Sequence, residues 1–424
     1  MRPKRTAVAT ALTALFSALL MLALPASAVT TIRYQYNWYA NSRAGYNEAF
    51  EAMIDAFNRS QDEIRVEGFV VPGTDERLIT SIAAGVAADV VHFELSSVID
   101  FASRGLLEPL DPLYDYESIV REFFPADAAE VVWNGRVWGL PGYTNVRGLF
   151  WNADILNAVG LDSERGPQTL QELEELAAKA TVVDSDGRIT RLGFAPWIGG
   201  YYPAGWFWSF GGEIYDAETG MPTLTRQENV EAWHWVQEWA QRYPPGQFNL
   251  AATGLSGANG QFVAGTLAAM TAADNTVASL QAVAPELNFR TGRVPYPPGG
   301  RNGTWGGGVG HVIPKGTRHL DEAKRFLHWI ANEGQRILYE HLGEFPTGVR
   351  VAEPIIASLP HDDLRIPLFN QVGERNPRPP LWAPVIRALL REESRIIQMQ
   401  DTPANVLENL QREFVAEYER LQPR

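Results

Sequence analysis

The chain has 424 residues, of which 45% are hydrophobic and 20% charged, and it carries a formal net charge of −14. This length exceeds one typical hydrophobic core and predicts two domains or one large α/β body. The negative charge argues against nucleic acid or an anionic membrane surface as the main partner.

The N-terminus has the pattern of a secretory signal peptide. Basic residues within the first five positions precede an apolar run from 7 to 24, which ends in Pro25-Ala-Ser-Ala28. We therefore expect residues 1–28 to be removed on export, with an uncleaved membrane anchor as the alternative. Because the chain has no cysteine, it has neither disulfides nor an N-terminal cysteine for a lipid. We expect it to diffuse freely in a bacterial periplasm.

Strand and helix patterns alternate after the leader. The spacing of apolar residues predicts strands at 32–36, 64–71 and 89–93, and helices at 50–57 and 78–83. This alternation predicts a parallel sheet with right-handed crossovers, whose ligands lie at the carboxyl ends of the strands. The loops at these ends are 37–39, 73–75 and 94–96.

The later chain continues as α/β. Asn134-Gly135 predicts a tight hairpin turn, and residues 137–151 are expected to be extended. Thr169 with Glu172 predicts a capping box at a helix start. Further helices are predicted at 227–242, 323–330 and 403–418, with a short strand at 311–315.

Aromatic residues are concentrated among glycines between Trp197 and Tyr215. Flat rings with a polar edge suit ligands such as sugar rings, although each ring could equally fill a core. Phe207, Trp208 and Phe210 have the spacing of helical core residues, whereas the sequence does not assign Trp206 to either environment.

We find no catalytic motif of the GxSxG, HExxH or P-loop type. His92 and Glu94 form a close histidine–carboxylate pair, but a predicted buried strand favours a packed histidine over a metal ligand. The adjacent Tyr201 and Tyr202 leave ferric iron as a minor alternative, because phenolate oxygens are hard ligands. We expect neither a resident metal nor a cofactor.

Short fragments of the chain, in their order and spacing, match a known family. They include Ala88-Asp-Val-Val91, Arg104–Leu110, Val137–Pro141, Gly148–Asn152, Gly211-Gly212, Ala269-Met-Thr271, Gly306–Lys315 and Phe345-Pro-Thr347. With them the mature chain resembles the extracellular solute-binding proteins of ABC importers. The resemblance is to the carbohydrate-binding group that includes maltose-binding protein.

The resemblance implies a two-lobe periplasmic-binding-protein fold of type II. Each lobe would be a mainly parallel sheet flanked by helices, and a hinge would close the lobes over the ligand. The implied boundaries are 29–140 plus 295–343 for the N-lobe and 141–294 plus 344–424 for the C-lobe.

The resemblance also implies a set of ligand-binding residues: Trp38, Arg43, Glu94, Ser96, Asn145, Trp197, Tyr201, Tyr202, Asp274, Trp305, Gly307, Arg350 and Trp382. The rings of Trp38, Tyr201, Trp305 and Trp382 would stack on sugar. The chain departs from the maltose-binding pattern at Asn145, where a carboxylate is expected, and at Asn275-Thr276, where a tryptophan is expected. The first departure alters a hydrogen bond to the ligand, and the second argues against a maltodextrin ligand.

We therefore expect a monomeric periplasmic protein that binds a mono- or oligosaccharide, presents it to an ABC permease and catalyses no reaction. One alternative is a receptor for a non-sugar anion, either a glycerol phosphodiester or ferric iron, on which Arg43, Arg147 and Arg350 would converge. The other is a secreted glycoside-active enzyme.

Overall fold

The computed structural model describes residues 29–36, 45–216, 218–304, 306–369 and 381–421. Three predicted site residues, Trp38, Arg43 and Trp305, lie outside the described residues, as does the predicted signal peptide. Within the described part of the chain, no helix has both the length and the apolar character needed to cross a membrane.

The elements follow the predicted strand–helix alternation. The strands are β1 Thr30–Tyr36, β2 Ile64–Val70, β3 Val90–Glu94, β4 Val132–Trp133, β5 Arg136–Val137, β6 Leu140–Asn152, β7 Val182–Val183, β8 Ile189–Arg191, β9 Ala269–Ala273, β10 Phe289–Gly292, β11 Gly306–Val312 and β12 Phe345–Pro346. The helices of the first half are α1 Tyr46–Ser60, α2 Asp75–Ala83, α3 Val98–Ser103, α4 Tyr116–Glu122, α5 Pro125–Ala129, α6 Ala153–Ala158, α7 Leu170–Ala180 and α8 Tyr202–Ser209. Those of the second half are α9 Gln227–Arg242, α10 Gly257–Val263, α11 Thr276–Val283, α12 Leu320–Trp329, α13 Gln335–Leu342, α14 Val349–Ser358, α15 Ile366–Phe369, α16 Trp382–Ile397 and α17 Pro403–Leu421.

The main sheet has the strand order β10-β6-β11-β3-β1-β2, and β9 and β12 also pair with β6. Strand β1 is parallel to both β2 and β3, which confirms the predicted parallel arrangement of the first strands. Strand β11 is antiparallel to β3 and to β6, so the sheet as a whole is mixed.

The long strand β6 connects two hydrophobic cores. One core consists of buried residues from 32–143 and 309–342, and the other draws on 149–294 and 368–414. We call these two bodies the N-lobe and the C-lobe. Strand β6 contributes Leu140 and Tyr143 to the N-lobe core and Leu149 to the C-lobe core. The lobe boundaries given above stay predictions.

Local signals in the sequence are confirmed at several turns and caps. Asn134 and Gly135 have φ values of 49° and 69°, as a type I′ hairpin turn requires. The Thr169 hydroxyl accepts a hydrogen bond from the Glu172 amide at 3.1 Å. In a full capping box the Glu172 carboxylate would accept a hydrogen bond from the Thr169 amide. Here it accepts from the amide of the preceding residue, Gln168.

The predicted strand at 311–315 begins earlier, in the run of glycines. Strand β11 packs so closely against β6 that a Cβ at Gly308 would lie 2.3 Å from the Tyr143 carbonyl oxygen. A Cβ at Gly310 would lie 2.2 Å from the Leu140 carbonyl oxygen. The glycines therefore permit a close pairing of the two strands. Their low β-propensity is the reason that the sequence did not predict a strand here.

The structure also shows where the rings between Trp197 and Tyr215 lie. Trp206 is fully buried in the C-lobe core, and its indole Nε1 donates to the Pro196 carbonyl at 3.0 Å. Phe207 and Trp208 are buried in the same core, which confirms the interpretation of their helical spacing.

Candidate functional site

Strand β6 presents a row of polar side chains where it passes from one lobe to the other. Because side chains alternate along a strand, Tyr143, Asn145 and Arg147 share one face. Asn145 pairs with Gly307 of β11, and Val309 of β11 pairs with both Tyr143 and Glu94. Strand β6 and the end of β3 therefore lie on the two sides of β11, one strand apart.

Glu94 and Ser96 are half-buried, Glu94 as the last residue of β3 and Ser96 in the 3₁₀ turn that follows. This is the strand-end position that the parallel sheet predicts for ligand contacts. Burial raises the pKa of Tyr143 well above its usual value, and nearby Glu344 and Glu94 add to the rise. The Tyr143 hydroxyl also shares a short hydrogen bond with Tyr46 of α1.

A cavity of about 490 Å³ opens beside this face of β6. Small-molecule sites typically have volumes of about 300–1,000 Å³. The lining combines an indole, a guanidinium, hydroxyls, an amide and exposed backbone, from residues Arg147, Trp197, Ile198, Gly199, Gly200, Ser256, Ala258, Asn259, Thr271, Ala272, Ala273 and Thr276. Such a lining offers an aromatic face with hydrogen-bonding groups around it.

Arg147 is the charged group of this cavity. Its guanidinium donates to the Asn145 side-chain oxygen and lies 6.0 Å from the centroid of the Tyr202 ring. This arrangement adds a cation–π contact to a charge-assisted hydrogen bond. Trp197 and Tyr202 are both half-buried. Asn145, Arg147, Trp197 and Tyr202 thus form one side-chain cluster, which we call the β6 cluster.

Two glycines line the cavity next to Arg147. Gly199 has φ 115°, and a Cβ there would lie 2.1 Å from the Thr271 carbonyl oxygen. The Gly200 amide donates to that same carbonyl at 2.9 Å. A Cβ at Gly200 would lie 3.5 Å from Arg147 Nε, an ordinary contact distance. Gly199 is therefore required by the backbone, whereas Gly200 leaves room for the guanidinium.

Asp274 follows β9 and lies beside Val146 of β6, buried rather than on an open wall. It is 1% exposed, its carboxylate accepts from the Val146 amide at 2.9 Å, and its own amide donates to the Val146 carbonyl at 3.0 Å. Burial raises the pKa of Asp274 to about 7, and the negative charge of Glu344 adds to the rise. The Val146 hydrogen bond and the Arg147 charge oppose it. The structure thus gives this predicted ligand-binding residue a supporting position.

Glu344 is the second buried carboxylate of this region. It immediately precedes β12 and is 3% exposed, and its carboxylate accepts a hydrogen bond from the Asn275 side-chain Nδ2 at 3.4 Å. Strand β12 pairs with β6 at Tyr143 and Thr144. Two acidic side chains, Asp274 and Glu344, are therefore buried where β6, β9 and β12 meet.

Two predicted stacking rings are buried in the C-lobe core. Tyr201 is 1% exposed, its ring packs edge-on against Trp206 at 4.7 Å, and its hydroxyl lies 3.0 Å from the Ser209 hydroxyl. Trp382 is 2% exposed and stacks face to face on Trp208 at 5.5 Å. Trp206 therefore covers the Tyr201 ring and Trp208 covers the Trp382 ring, which the predicted stacking on sugar did not anticipate. Ligand contact through either ring stays a prediction.

Arg350 is not part of the β6 cluster. It is exposed at the start of α14 and donates to the Asn332 side-chain oxygen at 3.0 Å. The expected convergence of Arg147 and Arg350 on an anion is absent from the cavity lining, and Arg43 lies outside the described residues. The described residues also contain no group of three or more histidine or acidic side chains placed to hold a metal ion. His92 is fully buried, as the packed interpretation predicts.

Sequence reasoning missed several lining residues. Arg147 entered only the anion alternative, although its position two residues after Asn145 in an extended segment places it on the same face. Ser256 and Asn259 had no recognised signal, because they reach the cavity from the start of a helix that is distant in sequence.

Comparison with known proteins identifies the family. The model for bacterial extracellular solute-binding proteins matches residues 40–337. A putative binding protein of Brucella abortus (strain 2308) is 25% identical over 335 residues, covering 76% of this chain and 77% of its own. The maltodextrin-binding protein of Bacillus subtilis (strain 168) is 23% identical over 308 residues, covering 71% and 70%.

The solved structure of CpMnBP1 with mannotriose bound is 26% identical and has a TM-score of 0.77. The match covers 91% of this chain and 99% of that chain. The two-lobe architecture with β6 as a shared strand is thus that of the type II periplasmic binding proteins. The chain belongs to the bacterial extracellular solute-binding protein family.

Proposed function

We propose that the protein captures a mono- or short oligosaccharide at the β6 cluster, between its two lobes, and delivers it to the permease of an ABC importer. The observation that carries this proposal is the cavity of about 490 Å³ lined by Arg147, Trp197 and polar side chains. An indole face can cover the C–H side of a sugar ring while the guanidinium and hydroxyls bind its oxygens. In this function Glu94, Ser96 and the backbone at Gly307 approach the ligand from the N-lobe.

The relatives narrow the first ligands to test. CpMnBP1 is described with mannobiose and with mannotriose bound, at 25% and 26% identity to this chain. The Bacillus subtilis relative is named for maltodextrin. Thr276 stands at the cavity where the maltose-binding pattern leads us to expect a tryptophan, and a hydroxyl offers less stacking surface than an indole. We therefore rank a short manno-oligosaccharide above a maltodextrin.

Export to the periplasm, removal of residues 1–28, a monomeric state and the absence of catalysis complete the proposal. The family supports an exported protein that binds rather than converts its ligand, because its members are described as extracellular solute-binding proteins. The closed complex would be the form that the permease recognises.

Isothermal titration calorimetry of the mature chain tests the proposal. Mannobiose, mannotriose, maltotriose, glucose, a glycerol phosphodiester and ferric citrate form the panel, and we expect micromolar or tighter binding of at least one saccharide. Arg147→Ala should weaken that binding, whereas the exposed helical variant Asp55→Asn should not. Heat released by the phosphodiester or iron alone would support the anion alternative. Turnover of a glycoside by the purified chain would instead indicate an enzyme.

A further inference from the structure

We propose that Asp274 is a positioning residue whose ionised carboxylate holds Asn145 and Arg147 in their ligand-binding arrangement, so that saccharide affinity falls as the medium is acidified. This inference rests on the proposed function.

The geometry places Asp274 beside the segment of β6 that carries Asn145 and Arg147, with hydrogen bonds to the backbone of that segment. Its carboxylate and its amide both bond to Val146, at 2.9 Å and 3.0 Å. Val146 lies between Asn145 and Arg147, whose side chains point to the opposite face of the strand. The carboxylate therefore fixes the backbone from which both ligand-binding side chains project.

The charges around Asp274 come from two other elements. Among the described residues, Glu344 faces it from the segment before β12, and Arg147 faces it from β6. Their effects oppose each other, and burial is the largest influence. The resulting pKa of about 7 means that Asp274 changes charge close to neutral pH.

The direction of the effect follows from what the two protonation states can do. The ionised carboxylate accepts a charge-assisted bond from Val146 and attracts the Arg147 guanidinium, which keeps the guanidinium beside Asn145. Protonation weakens both interactions. If the ligand binds best to this arrangement, binding lowers the pKa of Asp274 and releases protons.

A measurement without ligand tests whether Asp274 titrates as inferred. Its folded-state pKa is raised above 3.8, so its contribution to stability is present below about pH 4 and is lost as pH rises through about 7. The melting temperature of the wild type minus that of Asp274→Asn should therefore fall between pH 4 and 7. The difference in melting temperature between the wild type and the control Asp55→Asn should not change over this pH range. Parallel curves for the wild type and Asp274→Asn would overturn the inference.

Calorimetry with the best saccharide of the panel tests the coupling to binding. We expect the wild-type Kd to rise about tenfold between pH 8 and pH 5.5, a typical size for coupling between sites. Asp274→Asn should bind weakly at both pH values, without this dependence. Glu344→Gln should move the midpoint to lower pH, because it removes the charge that raises the pKa of Asp274.

The outcomes separate the two proposals. Saccharide binding with the same pH profile in the wild type and Asp274→Asn overturns this inference and leaves the proposed function standing. An unchanged midpoint in Glu344→Gln also overturns it, since a merely structural role for Asp274 predicts no shift. The absence of saccharide binding at every pH overturns the proposed function and this inference with it.

Discussion

The Arg387 guanidinium of α16 lies 3.6 Å from the Asp75 carboxylate at the start of α2. The pair joins the two lobes, because α16 packs in the C-lobe core and α2 contributes Leu78 to the N-lobe core. Burial raises the pKa of Asp75, and the Arg387 charge opposes that rise. This ion pair would stabilise the closed arrangement of the lobes over a bound ligand.

Arg387→Ala should therefore speed ligand release. The Arg387 side chain is 62% exposed, so the pair is worth no more than about 1 kcal/mol, or about fivefold in rate. Stopped-flow tryptophan fluorescence with the identified saccharide would measure the change. The double variant Asp75→Arg/Arg387→Asp should restore slow release, and equal release rates in all three proteins would contradict a role for the pair in closure.

Arg147→Ala should lower saccharide affinity by about tenfold or more, because it removes the charge-assisted donor of the cavity. Arg147→Lys should recover only part of that loss. An ammonium lacks the planar fork that bonds Asn145 while lying near the Tyr202 ring. Calorimetry gives the affinities, and circular dichroism checks that both variants fold. Unchanged affinity in Arg147→Ala would show that the saccharide does not bind in this cavity.

The adjacent glycines Gly199 and Gly200 should respond differently to substitution. Gly199→Ala should destabilise the fold by about 1–3 kcal/mol, because it forces a side chain into positive φ and against the Thr271 carbonyl. Gly200→Val should leave the fold intact but push Arg147 aside and weaken binding. Chemical denaturation and calorimetry on both variants separate the effects. A Gly200→Val variant with wild-type affinity would show that the guanidinium does not need this space.

Glu393 of α16 should make the protein less stable in alkaline medium. It is 9% exposed, its Oε1 has no hydrogen-bond partner among the described residues, and burial raises its pKa to about 8. Because its pKa is raised in the folded state, the contribution of Glu393 to stability is present below about pH 4.5 and is lost as pH rises through about 8. Glu393→Gln should therefore raise the melting temperature relative to the wild type more at pH 9 than at pH 6. A constant difference across this range would argue that Glu393 does not titrate there.

Much of the fold could be predicted because its signals are local. The apolar alternation of Ile32, Tyr34 and Tyr36, the Asn134-Gly135 turn and the Thr169 cap each depend on neighbours a few residues away, and each is confirmed. Their order along the chain also limits the topology, since parallel strands need helical crossovers. The sequence by itself thus determined the elements, the parallel pairing of the first strands and a resemblance to the correct family.

Tertiary structure decided which side chains line the cavity and which are buried in the core. Trp197 lines the cavity whereas Trp206 and Trp382 are buried, although all three are the same residue type. The pairing of Asp274 with Val146 joins positions 128 residues apart. Whether an aromatic ring is open to a ligand or buried in the core depends on which groups cover it. The covering groups come from distant parts of the chain, which local periodicity does not record.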